Sequence, residues 1–134
     1  MPLEFLDKRF SALIAGDYGV VYDSYHDNAP LMQQFKDRKT YIEFAQQQLA
    51  AIVVRDWRCL RQRTPEDRQL EVLLVMDLAV GGDSQSFYEL ALLVETESGW
   101  RYHSAQKLGP EDYSGPSDQI EFRHFDTATP KIRF

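Results

Sequence analysis

At 134 residues the chain is sized for one domain. Its 43% hydrophobic and 13% aromatic content is enough to close a core without a disulfide or a metal, which excludes wholesale disorder. A formal net charge of −6 excludes the clustered basic surface that phosphate-backbone binding needs, so no nucleic-acid partner is expected.

The first ten residues carry Glu4, Asp7, Lys8 and Arg9 rather than the apolar core of a signal peptide. No run approaches the ~18 apolar residues of a membrane span, and Cys59 is the single cysteine, as suits a reducing compartment. The expectation is a cytoplasmic protein with no membrane partner. Leu6, Phe10, Leu13 and Ile14 recur at helical spacing and mark a first amphipathic helix. Gly16 ends it, and Asp17 is placed to cap a second helix over residues 18–25, with Tyr18, Val21, Tyr22 and Tyr25 on one face. Pro30 opens a short helical turn carrying Leu31, Met32 and Phe35. Asp37 then caps a further helix whose buried stripe is Tyr41, Phe44, Ala45, Leu49 and Ile52.

The period changes after Val53. Residues 54–63, 69–80, 85–96 and 100–108 alternate or run apolar, separated by Thr64-Pro65-Glu66-Asp67, Gly81-Gly82-Asp83 and Ser98-Gly99. Such short turns force antiparallel neighbours, which makes a four-stranded meander. From Gly109 the composition shifts: Gly109-Pro110 and Gly115-Pro116 frame a loop, and Ile120, Phe122 and His124 alternate with Glu121, Arg123 and Phe125. This reads as a fifth strand or an extended arm. The domain is thus 1–108, with 109–134 as its C-terminal loop and arm.

Two-residue hairpin loops at Gly82-Asp83 and Ser98-Gly99 set a register. One sheet face then carries Val72, Leu74, Met76, Phe87, Glu89 and Ala91, continued by Trp100, Tyr102, Ser104 and Gln106. The other carries Leu73, Val75, Leu90, Leu92 and Val94, rimmed by Asp77, Tyr88, His103 and Lys107. No helix remains to cover this second row, so a homodimer is expected.

The chemistry candidates are few. Glu89 falls among apolar neighbours, where desolvation favours the neutral carboxyl and makes a general acid. His26 follows the second helix and is either a general base or a cap on that helix's last carbonyls. Tyr22, Tyr41, Trp100 and Tyr102 are the candidate ligand-binding side chains around a cavity. Cys59 sits in a strand-like run and reads as a core or edge residue. Arg55, Arg58, Arg61, Arg63 and Arg68 read as a solvated face. There is no nucleophile elbow, P-loop, dinucleotide fingerprint or His-Glu-x-x-His. Three histidines and one cysteine, none at ligand spacing, give no metal site and no cofactor.

Helices followed by a long curved antiparallel sheet is the order of the NTF2-like, or cystatin-like, cone. Arg9-Phe10-Ser11-Ala12-Leu13-Ile14-Ala15-Gly16-Asp17-Tyr18, then Tyr22-Asp23-Ser24-Tyr25-His26, resembles the opening of the NTF2-like domain of the SEC-C-associated (YchJ-like) proteins. Gly99-Trp100-Arg101-Tyr102 is similar to that group's Gly-x-Trp-x-Tyr strand opening. The resemblance spans residues 5–108 and implies an α+β NTF2-like cone. The SEC-C motif itself, a cysteine-rich zinc knuckle, is absent from this chain, and the activity of the domain in that group is unassigned. Two functions fit. One is a non-enzymatic module that binds a small apolar ligand or a partner segment and dimerises through its sheet. The other is an NTF2-like enzyme of dehydratase, isomerase or hydrolase type, with His26 and Glu89 as its acid–base pair. The first is preferred, because acid–base chemistry wants two titratable groups aimed at one cavity and the sequence places only Glu89 there.

Overall fold

The computed structural model describes residues 2–127. Four helices come first: α1 (Pro2–Ala15), α2 (Tyr18–Asp23), α3 (Pro30–Gln34) and α4 (Arg38–Gln48). The sheet follows as β1 (Ile52–Arg63), β2 (Gln69–Val80), β3 (Asp83–Thr96) and β4 (Gly99–Leu108), and a 3₁₀ turn at Ser117–Gln119 leads to α5 (Phe122–Asp126). Among these residues no helix is long and apolar enough to cross a membrane.

The helix ends follow from local chemistry. Gly16 closes α1 with φ +74°, a conformation that is free only to glycine. The Asp17 and Asp37 carboxylates accept from the Val20 and Thr40 backbone N–H groups at 3.5 and 2.8 Å. Hydrogen bonds from Thr40, first through its side chain and then through its backbone, hold the Asp37 carboxyl below its usual range. Arg38 forks onto both oxygens of Asp23, each at 3.0 Å, and ties α4 to α2.

The four strands pair in the order β1-β2-β3-β4, all antiparallel. The β2–β3 turn is Gly81-Gly82, with φ of +62° and +94°, one residue earlier than expected. Pairing therefore slips by two, which keeps every β2 and β3 side chain on its expected face. The β3–β4 pairing begins the same way, with Leu93 opposite Tyr102. A bulge at His103 then sets Leu92 opposite Ser104 and Glu89 opposite Lys107. Beyond the bulge the faces swap. Ser104 and Gln106 are thus on the outer face, and Lys107 joins Glu89 on the inner one, contrary to the register read from the turns. Two further irregularities, between Val54 and Asp56 and between Cys59 and Arg61, bend β1 around the helices.

On the inner face Leu6 and Phe10 of α1 bury against Val72, Leu74, Ala91 and Leu93. Phe10 stacks on Trp57 with ring centroids 4.5 Å apart. Val21 of α2 and Tyr41 and Ala45 of α4 form a smaller core among the helices.

Part of the outer face is covered from within the chain. Residues 109–127 make neither a strand nor an extended arm; they fold back across the sheet through the 3₁₀ turn and α5. Ile120 and Phe125 are both 0% exposed and pack on Leu73, Val75 and Leu90, three of the five residues in the row that the sequence left bare; Leu92 and Val94 are half-buried. The part of the expected arm beyond Thr127 lies outside the described residues. Polar ties fix the segment. Gln106 donates to the Phe125 carbonyl at 2.8 Å, and Arg61 donates to the Ile120 carbonyl at 3.0 Å. Arg63 donates to both Asp126 oxygens at 3.1 and 2.9 Å and to Glu71 at 2.8 Å. These two arginines tie the segment down, although Arg61 itself remains exposed.

Candidate functional site

The helices do not cover the whole inner face. Where β1 and β3 begin and β2 and β4 end, a cleft of about 300 Å³ stays open. One wall comes from Leu31 of α3, Tyr41 and Phe44 of α4, and Leu49. The opposite wall is the sheet, with Val54, Met76, Leu78 and Phe87. Phe44 and Ile52 are 42% and 36% exposed and mark the mouth. The walls are apolar because each strand sends alternate side chains inward, and here those are aliphatic or aromatic.

The charged groups are Arg9, Glu89 and Lys107. The Glu89 side chain is 8% exposed and that of Lys107 56%, with 4.0 Å between the Glu89 Oε1 and the Lys107 Nζ. Glu89 is therefore the deeper group and Lys107 the outer one. The Tyr102 hydroxyl hydrogen-bonds the Glu89 carboxylate. Arg9 comes from α1, with its guanidinium 4.6 Å from the Tyr25 ring centroid and 3.9 Å from that of Tyr102. Its Nη1 donates to Ser24 Oγ at 2.7 Å and its Nη2 to the Tyr25 hydroxyl at 3.1 Å. Ser24 in turn donates to the Val21 carbonyl. The two rings meet at 84°, and a desolvated guanidinium held over an aromatic face gains about 2 kcal/mol, so this corner is a strong local clamp.

Burial raises the Tyr102 hydroxyl well above its usual range, and the Glu89 charge raises it further. Burial, then Tyr25, does the same to Tyr41. For Arg9, burial alone works against the charge, but Tyr25, Tyr102 and Glu89 outweigh it and hold the guanidinium above its ordinary value. Arg9 therefore stays charged and both tyrosines stay neutral at neutral pH. The arrangement supplies one buried acceptor, Glu89, in an apolar wall, with fixed positive charge behind and in front of it.

This architecture is shared by a domain from Nostoc punctiforme PCC 73102, solved at 2.00 Å and described as a domain of unknown function with a cystatin-like fold. The match has a TM-score of 0.61 and covers 96% of this chain and 85% of that one, at 14% identity. The fold is cystatin-like. No family model matches the chain, and no curated protein matches its sequence. The helices-then-sheet architecture expected from the element order is the one observed. At this identity the likeness reaches the fold alone.

Within the cystatin-like cone the expected site residues separate. Glu89 and Tyr41 line the cleft. Tyr102 is buried beside Glu89 and Arg9. Tyr22 packs against Tyr41, with ring centroids 5.5 Å apart, and is not part of the lining. Trp100 packs on the inner core near the β3–β4 turn, opposite Glu95. His26 lines a separate depression with Asp27, Glu97, Ser98 and Arg101. Its backbone N–H donates to the Tyr102 carbonyl at 2.8 Å. Its Nδ1 accepts from the Asn28 N–H at 3.0 Å, and its ring lies 6.0 Å from that of His103. His26 and Glu89 thus open onto different surfaces, and it is Ser24, not His26, that caps α2. Cys59 packs against the inner core, and burial pushes its thiol up, away from reactivity.

Two cleft residues escaped the sequence reading. Lys107 was hidden by the bulge at His103. Arg9 had a visible signal: it sits three residues after Leu6 and four before Leu13, a charge within the apolar stripe of α1.

Proposed function

We propose that this cystatin-like domain is a small-ligand-binding module whose cargo occupies the cleft between α3, α4 and the sheet. The observation that carries this reading is the cleft itself: about 300 Å³ of apolar space with one buried carboxylate among its polar groups. Ligand sites are commonly built so, with apolar walls for affinity and a few polar atoms for orientation. An enzyme would need an acid–base partner for Glu89. The partner that the sequence offered, His26, lines a separate depression. The resemblance to the SEC-C-associated domains belongs with this reading, since Arg9, Ser24 and Tyr25 of that pattern meet in one clamp. A reducing, cytoplasmic setting fits the lone, core-packed Cys59.

A thermal-shift series with neutral bicyclic hydrocarbons and alcohols tests the reading. Ligand binding only to the folded state raises the melting temperature with ligand concentration. Leu78→Trp, which fills the cleft from its half-buried wall, is expected to abolish the shift while leaving the free domain folded. A full response in Leu78→Trp, or no response in the parent protein, refutes the proposal.

A further inference from the structure

We infer that the cleft selects an uncharged, mainly apolar molecule bearing one hydroxyl group, which donates its hydrogen to the Glu89 carboxylate; this rests on the cleft being the ligand site. A carboxylate has about four lone-pair positions. The Tyr102 hydroxyl uses one. Lys107, with its Nζ at 4.0 Å, is beyond hydrogen-bond length. Glu89 lines the cleft, so its remaining acceptor capacity is available to a molecule bound there.

Charge then decides what can use that capacity. A ligand ammonium would approach Glu89 into the repulsion of Lys107 from the mouth and of Arg9 from behind. A ligand carboxylate would be drawn to Lys107 at the mouth, but to enter the cleft it would meet Glu89 at close range between apolar walls that screen poorly and would take Lys107 from it. Either ion would also leave water for a wall of Leu, Met and Phe, which is expensive without full pairing. A hydroxyl avoids all three penalties and completes the carboxylate with a charge-assisted bond. The Tyr41 hydroxyl, held neutral on the facing wall, suits an uncharged head group in the same way. A cleft of about 300 Å³ has room for roughly ten water-sized groups, the scale of a bicyclic skeleton.

Four probes on one skeleton separate the possibilities: 1-methylnaphthalene, 1-naphthalenemethanol, 1-naphthoate and 1-naphthylmethylammonium, titrated calorimetrically into the intact protein near neutral pH. The alcohol is expected to bind about tenfold more tightly than the methyl compound, and both ions more weakly than either. Glu89→Gln should reduce the alcohol's advantage to roughly twofold, because a neutral acceptor makes a weaker bond. Lys107→Gln, at an exposed position, should strengthen the ammonium probe severalfold by removing its competitor. A tightest-binding ion, or an alcohol no better than the methyl compound, overturns the inference and leaves the cleft as a ligand site. Failure of all four probes to bind overturns both.

Discussion

Arg9 shows how much a single side chain decides here. Its fork reaches Ser24 and Tyr25 while the group packs into the corner between two nearly perpendicular tyrosine rings, a set of contacts suited to a planar guanidinium. Arg9→Lys keeps the charge but loses the fork and the stack. It should lower stability by about 2 kcal/mol, measured by urea denaturation; a loss within the error of the method would mean that the clamp contributes only charge. The tyrosines set a pH limit. Unfolded phenols ionise near pH ~10, whereas burial pushes those of Tyr41 and Tyr102 higher in the folded chain. The stability from keeping them neutral is complete below that pH and is lost as the pH rises through it toward their folded values. A Tyr41→Phe, Tyr102→Phe double variant should therefore lose less stability between about pH 9 and about pH 11. Equal losses in parent and variant would place the alkaline sensitivity elsewhere. Glu89 was legible in the sequence because strand alternation put it among apolar neighbours. His26 was misplaced because a resemblance along the chain says nothing about which surface a loop faces.

At the scale of elements, helix boundaries and turns were the most readable features. Asp17, Asp37, Gly16 and Pro30 each impose a local geometry that does not depend on the rest of the fold. Strand faces were readable only as far as the ladder stays regular. One bulge at His103 moved Lys107 to the inner face and Ser104 and Gln106 to the outer one, and nothing in residues 100–108 announces it. The tail was unreadable for a different reason. Ile120, Phe122 and His124 satisfy a period of two while Phe122 and Phe125 suit a short helical turn, and tertiary contact decided between them. Phe125, wholly buried against the outer sheet, anchors that contact. Phe125→Ala should cost about 3–4 kcal/mol. It should also release backbone amides of residues 117–127 to hydrogen exchange while those of β2 and β3 stay protected. Uniform protection after the substitution would show that the arginine and glutamine ties hold the segment alone.

For the whole molecule, the sheet is apolar on both faces, and each face has its own cover: helices within, the C-terminal segment without. The sequence predicted a homodimer from the Leu73, Val75, Leu90, Leu92 and Val94 row; Ile120 and Phe125 now pack on Leu73, Val75 and Leu90, while Leu92 and Val94 stay half-buried. With three of those five residues covered, a monomer is expected at micromolar concentration by sedimentation velocity; a stable dimer would instead keep the strip at Leu92 and Val94 as its interface. What the covers leave open is the cleft at the end of the cone, and the function proposed for the domain stands on it. The most direct test is a titration of the ¹⁵N-labelled protein with 1-naphthalenemethanol, followed by amide chemical shifts. Saturable changes centred on Phe44, Leu49, Val54, Met76, Phe87 and Glu89 are the expected result. Shifts centred on Ile120 and Phe125, or no saturable shifts at all, would contradict the assignment of this cleft as the ligand site.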